Sequence, residues 1–257
     1  MGKYKINSRS DNGVFVVTES YKKLFNKLKS LKKSRGRIIH VIGAPGTGKS
    51  ANIYFALDEL GLDVYDVELR IKDVNMDSGD VFKEVYREMK RDLGAGSKQE
   101  VYEGLSKFDA LLFADRFHDS HLLDKKNIGF SVWTGQAGFK ATKFYLLCII
   151  EYFKERKMFK GINIILQTAW RVNFRGKKYD VFSDLGIISR VIIVLLKIFF
   201  EVVVISYSPL ETLKIVKKHV NADDKLIEHY IDQYGSKPRI ICLAIEKDRT
   251  YFDPREV

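Results

Sequence analysis

The segment Arg37 to Ser50, RIIHVIGAPGTGKS, restricts the fold more than any other part of the sequence. Residues 37 to 42, led by Arg37 and otherwise β-branched and apolar around His40, read as a buried strand that stops at Gly43, where backbone freedom rises. From Lys49 the sequence KSANIYFALDELG sets Ile53, Leu57 and Leu60 at helical spacing and offers Gly61 as a stop. The unit is a strand, a glycine loop and a helix. A chain built this way points successive backbone N–H groups and a helix N-terminus at one spot, which is the geometry that surrounds a phosphate.

Gly43-x-x-x-x-Gly48-Lys49-Ser50 matches the P-loop pattern, with Ala44, Pro45, Gly46 and Thr47 in its variable positions. Lys49 places an ammonium against the β and γ phosphates of a nucleotide. Ser50 supplies a hydroxyl to a Mg²⁺ ion, which prefers oxygen ligands and keeps several waters. The sequence therefore points to a nucleoside triphosphate with Mg²⁺.

A chain of 257 residues can bury a substantial core and carry a small appendage. With 46% hydrophobic and 12% aromatic residues it reads as a folded globule, without repeats or low-complexity tracts. Cys148 and Cys242, the only cysteines, lie in apolar helical surroundings and read as free buried thiols of a reducing interior. The polar start MGKYKINSRSDNG has no apolar core of a secretory signal, and the expected location is cytoplasmic.

Residues 187 to 206 have the length of a membrane span, but Arg190, Lys197 and Glu201 fall at helical intervals on one stripe, extended back by Ser183. The expectation is an amphipathic helix over 180–200 followed by a buried strand, EVVVIS, and no membrane span. A net charge of +11 and a dense basic run over 22–37 favour polyanions, nucleic acid first. There Leu24, Leu28 and Leu31 form one helix side, with Lys22, Lys23, Lys27, Lys29, Lys32 and Lys33 around the rest. That pattern fits a solvated helix face as well as a nucleic-acid surface.

The remaining pattern alternates strands and helices, which implies a parallel sheet. Strands are expected at 63–71 and 162–170, and helices at 81–94 and over YLLCIIEYFKERKMF. Three short helices follow, the first opened by Ser208 and Pro209. The expected organisation is a basic segment over 1–36, a P-loop α/β core with helices on a parallel sheet over 37–206, and a helical lid over 207–257.

This order of parts, together with Gly235-Ser-Lys-Pro-Arg239, resembles the AAA+ ATPases and the related STAND ATPases, archaeal ones in particular. The resemblance runs over about residues 12 to 245 in the order of elements, with motif identity at the P-loop and at 235–239. It implies ATP as the nucleotide, Arg239 as the lid arginine that senses the γ-phosphate, and Gln167 or Thr168 at the position of the first sensor. It also admits an oligomer. No Asn-Lys-x-Asp guanine-reading motif occurs, which agrees with ATP.

The family carries four apolar residues followed by Asp-Glu, one acid organising Mg²⁺ and the next activating water. This chain departs from it. ALLFADRFHD offers Asp115 as the metal acid and has Arg116 where the family's Glu belongs. Alternatively Val101, Leu105, Phe108 and Leu112 share helical spacing, which makes Asp115 a helix residue and moves the strand to IGFSVW. His118, Asp119 and His121 read as polar loop residues, since no second cluster accompanies them to hold a metal. Three functions stay open on this sequence: an ATPase; a kinase with Asp66 or Asp115 as base; and a nucleotide-dependent nucleic-acid-binding switch that does not hydrolyse.

Overall fold

The structure, a computed structural model, describes residues 15–70, 75–113, 123–130, 139–175 and 177–251. Helix α1 (Glu19–Lys29) begins where the Thr18 hydroxyl accepts the Tyr21 N–H, and a 3-10 turn over Ser30–Lys33 extends it. Leu24, Leu28 and Leu31 are fully buried and the lysines between them are exposed, because apolar residues at helical spacing make a single inward stripe. Strand β1 (Ile38–Ile42) leads into the glycine loop, and α2 (Lys49–Glu59) leaves it.

β2 (Val64–Asp66) is shorter than its apolar run: Val67 and Leu69 are buried, yet the ladder ends at Asp66. α3 (Ser78–Asp92) opens on a capping box of Asp77 and Asp80 and closes ahead of Gly94, whose left-handed backbone stops the helix. α4 (Lys98–Leu105), β3 (Ala110–Phe113) and the short α5 (Lys125–Ile128) come next. α6 (Thr142–Lys154), α7 (Arg156–Phe159) and β4 (Ile164–Thr168) bring in the fourth of the sheet's five strands. An antiparallel hairpin of β5 (Arg171–Phe174) and β6 (Lys177–Asp180) leads to α8 (Ile187–Phe199) and β7 (Glu201–Val204). The last helices are α9 (Pro209–His219), α10 (Asp224–Tyr234) and α11 (Pro238–Tyr251).

The five-stranded sheet has the order β2-β3-β4-β1-β7 and is parallel throughout. β1 is flanked by β4, with Val41 opposite Gln167 and Ile42 opposite Thr168, and by β7, with Ile42 opposite Val204. The chain leaves β1 for the far edge and later returns to its other side, so the crevice beyond the C-terminal end of β1 is a topological switch point, where open α/β sheets take ligands. Ile39 and Val41 face the α1/α2 side with Leu24, Leu28, Ile53 and Leu57. The opposite side holds Tyr65, Val81, Val101 and Phe144 under α3, α4 and α6. The C-terminal helices close on a separate cluster that includes Val216, Ile227, Ile231, Ile241 and Ile245. This is the P-loop α/β architecture, with helices on both faces of a parallel sheet and a helical cluster at the C-terminal end.

Several expectations are corrected. Helix and strand both exist in the ambiguous region: α4 ends at Leu105, and Ala110–Phe113 is the strand, so Leu112 is not helical. IGFSVW does not begin a strand, because Ile128 ends α5 and Gly129 adopts a left-handed cap. The helix expected over 180–200 spans only 187–199; Ser183 precedes it, and Glu201 stands in β7, bound to Arg37 and Lys27. The charged stripe therefore breaks up. Beside Arg190 and Lys197, which stay exposed on it, α8 turns outward Ile187, Val191, Val194, Ile198 and Phe199, all more than half exposed. No helix among the described residues is long and apolar enough to cross a membrane. Cys148 and Cys242 are free thiols, and burial pushes them up to about 12 and about 11.

Candidate functional site

The glycine loop sits where the sheet topology puts a ligand crevice. At Gly43 a Cβ would lie 2.5 Å from the Ile205 carbonyl oxygen, so the strand-to-loop corner admits only glycine. Gly46 and Gly48 take φ of +84° and +73°, and Gly48 caps α2 in the left-handed conformation, which opens the first turn of that helix toward the loop. The Thr47 hydroxyl donates to the Ala44 carbonyl at 2.9 Å and braces the turn from within. Lys49 is 8% exposed, and its ammonium reaches back across the loop to the carbonyls of Gly43 at 2.9 Å and Ala44 at 3.1 Å. A buried cation is thereby held over the loop at the head of α2.

The end of β4 completes one side. The Gln167 side-chain amide donates to the Ser50 hydroxyl at 2.9 Å, which sets a polar pair between the central strand and the first turn of α2. Thr168, on the opposite face of β4, instead meets His40, with Nε2 and Oγ1 2.7 Å apart. Gln167 and Thr168, equivalent in the sequence, are thus separated by strand alternation, and only Gln167 joins the loop.

The segment after β7 holds the other side. The Tyr207 hydroxyl donates to the Thr47 carbonyl at 2.7 Å and accepts the Asn52 side-chain amide at 2.9 Å. Asn52 is 3% exposed and also donates to the Gly48 carbonyl at 2.8 Å. Burial pushes the Tyr207 phenol up to about 12, so it stays protonated and able to donate. From α11 the Arg239 N–H reaches the Gly46 carbonyl at 3.2 Å, and the Ile240 side chain packs so closely that a Cβ at Gly46 would meet it at 3.0 Å. Arg239 comes to the loop through its backbone; its side chain is exposed. Tyr207 and Asn52 carry no sequence signal, since the partner of Tyr207 lies 160 positions away and Asn52 reads as an ordinary helix residue.

Asp180 is a further acid of this region that the sequence did not single out. It is 1% exposed at the end of β6, accepts the Trp170 N–H at 3.1 Å and the Ser183 hydroxyl at 3.0 Å, and feels the Lys49 charge. Burial pushes its carboxyl up. Its neighbour Asp184 pairs with Lys237 at 3.6 Å, so this turn bridges the sheet and the start of α11. Asp66 accepts the Tyr54 hydroxyl at 2.8 Å. Asp115, with His118, Asp119 and His121, lies outside the described residues, and among the described residues no cluster of His, Cys, Asp and Glu could hold a metal.

No family model and no curated protein matches the chain. Among solved structures it is similar to the replication initiator DnaA bound to AMPPCP and single-stranded DNA, at 17% identity over 91% of this chain and 63% of that one, TM-score 0.43. It is also similar to Cdc6p from Pyrobaculum aerophilum, at 14% identity over 91% and 62%, TM-score 0.47. A Walker-type ATPase of Pyrococcus abyssi is similar at 13% identity over 86% and 65%, TM-score 0.42. The chain spans less than two thirds of each.

Proposed function

We propose that the chain binds a nucleoside triphosphate at residues 43–50 and is an ATPase of the AAA+ type that couples nucleotide binding or hydrolysis to a conformational change. The observation that carries this reading is the buried Lys49 ammonium held over a glycine loop that opens the N-terminus of α2. The residues present fit a polyphosphate: left-handed Gly46 and Gly48 leave a cradle without side chains, and the backbone N–H groups of Lys49 and Ser50 begin a helix. Lys49 is the counter-charge for the β and γ phosphates. Mg²⁺, when bound, neutralises charge on the transferred phosphoryl group; the Ser50 hydroxyl is its proposed ligand, Gln167 orients that hydroxyl, and Asp115 is the proposed acid of the same shell. Arg239 is proposed to reach the γ-phosphate from the head of α11. ATP is preferred on the family resemblance.

Lys49→Ala tests the reading, because it removes the charge at the loop and little of the hydrophobic core. Calorimetry with ATP and Mg²⁺ is expected to show binding in the wild type and at least about a tenfold loss in the variant, as for a charge-assisted contact. Equal affinity in the two proteins removes the triphosphate reading. Phosphate release without an acceptor distinguishes an ATPase from a kinase, and binding without release identifies a switch.

Nucleic acid is the proposed macromolecular partner. Lys23, Lys29, Lys32 and Lys33 are exposed along α1 and its 3-10 turn and make no ion pair among the described residues, whereas Lys22 and Lys27 pair with Glu19 and Glu201.

A further inference from the structure

Two peptide planes of the phosphate loop are tied down from outside the loop. In a trans peptide the C=O and the following N–H point in opposite directions. The Thr47 carbonyl is drawn to the Tyr207 hydroxyl at 2.7 Å, so the Gly48 N–H of that plane points away from Tyr207. The Gly48 carbonyl takes both the Asn52 N–H at 3.0 Å and the Asn52 side-chain amide at 2.8 Å, which directs the Lys49 N–H the opposite way. These are amides at the head of α2, where a phosphate is held. One side-chain bridge joins both planes, since the Asn52 amide also donates to the Tyr207 oxygen at 2.9 Å.

Tyr207 sits in the connection from β7 to α9, the only covalent route into the C-terminal helices. The same connection abuts the loop's start, where Ile205 leaves no room for a side chain at position 43. The helices touch the loop again through Arg239 and Ile240 on Gly46. A rotation of the cluster that shifts residues 205–208 therefore pulls on Thr47.

Resting on the triphosphate reading above, we propose that Tyr207 is a positioning residue for the phosphate loop, its hydroxyl aiming the Gly48 N–H and transmitting the attitude of the C-terminal helices to the bound triphosphate. The interaction is with phosphate and not with the nucleoside. Removing the hydroxyl therefore affects a bare polyphosphate as much as a nucleotide.

The test is Tyr207→Phe, which keeps the ring and removes one oxygen, with Asn52→Ala as a second variant that loosens the same bridge from the other side. Both full-length proteins are checked by thermal melting and titrated calorimetrically with ATP and with inorganic tripolyphosphate, each with Mg²⁺. The expected result is a loss of about 3- to 10-fold for both ligands in each variant, the range of one hydrogen bond, and a double variant that loses less than the product of the two. Hydrogen exchange supplies a readout that a merely structural tie would not move. Amides 239–243 slow on adding tripolyphosphate to the wild type, and this response shrinks in Tyr207→Phe. Unchanged affinities and an unchanged exchange response in the variants overturn the inference while leaving the triphosphate reading in place. A loss for ATP with tripolyphosphate unaffected also overturns it, because Tyr207 then acts on the nucleoside. A wild type that binds neither ligand overturns the triphosphate reading, and the inference with it.

Discussion

His40 is the sole polar side chain of β1, and its surroundings fix its charge. It is 8% exposed, stands edge-on to the Phe200 ring at 5.3 Å, bonds Thr168 through Nε2, and has no partner for Nδ1. Burial pushes the imidazole down to about 4. Above pH 6.5 both folded and unfolded chains carry it neutral, and its contribution to stability is complete. As pH falls through 6.5 the unfolded chain takes up a proton that the folded chain refuses until about 4. Stability is lost across that window, by on the order of 3 kcal/mol. Urea unfolding at pH 7 and pH 4.5 should therefore show a drop in the wild type that is smaller by roughly 2–3 kcal/mol in His40→Asn. Equal drops in the two proteins contradict a neutral buried imidazole.

At the scale of elements, the C-terminal helices have their own apolar cluster and their own start signal, so they can be loosened without melting the sheet. Ser208 accepts the Glu211 N–H at 3.2 Å while Glu211 returns to the Ser208 N–H at 2.9 Å, with Pro209 at the first helical position. Ser208→Ala removes half of that box and should cost α9 about 1 kcal/mol, seen as roughly fivefold faster hydrogen exchange over 210–219 with β1 and β4 unaltered. Global destabilisation instead would mean that the helices and the sheet unfold together. α9 was legible from its Ser208–Pro209 start signal and α3 from its periodicity and Gly94 stop, although the Asp77 cap starts α3 at Ser78, ahead of the expected 81. The glycine loop was legible because strand, loop and helix each need particular residues in one continuous run. The β5–β6 hairpin was not: RVNF and KKYD are short and charged, and Arg175, a residue that rarely adopts a positive φ, makes its turn at +52°. Periodicity also failed for α8, because it reveals that a helix has an apolar side but not whether the protein covers it. The Tyr207 bridge was invisible for another reason. It joins residues brought together only by the sheet order.

For the whole molecule the relevant quantity is the formal charge of +11 and where its unpaired part lies. Lys29, Lys32 and Lys33 come just before β1 begins, whereas the phosphate loop starts where β1 ends, so a strand of five residues, about 16 Å at 3.3 Å per residue, separates the two. That distance exceeds the screening length of about 8 Å at physiological salt, so a polyanion on Lys29, Lys32 and Lys33 and a triphosphate at the loop do not compete. On the proposed nucleic-acid reading, binding of a single-stranded oligonucleotide probe should persist in saturating ATP and in Lys49→Ala, and weaken linearly with the logarithm of salt concentration. Replacing Lys23, Lys29, Lys32 and Lys33 together with Glu should lower that slope by up to about 3, since each phosphate contact on a single strand contributes roughly 0.7. Fluorescence anisotropy of a labelled oligonucleotide across a salt series measures all of this. A slope that survives the fourfold change places the polyanion elsewhere on the molecule. Displacement of the oligonucleotide by ATP would place it on the glycine loop itself, where any phosphate is drawn to the same backbone amides.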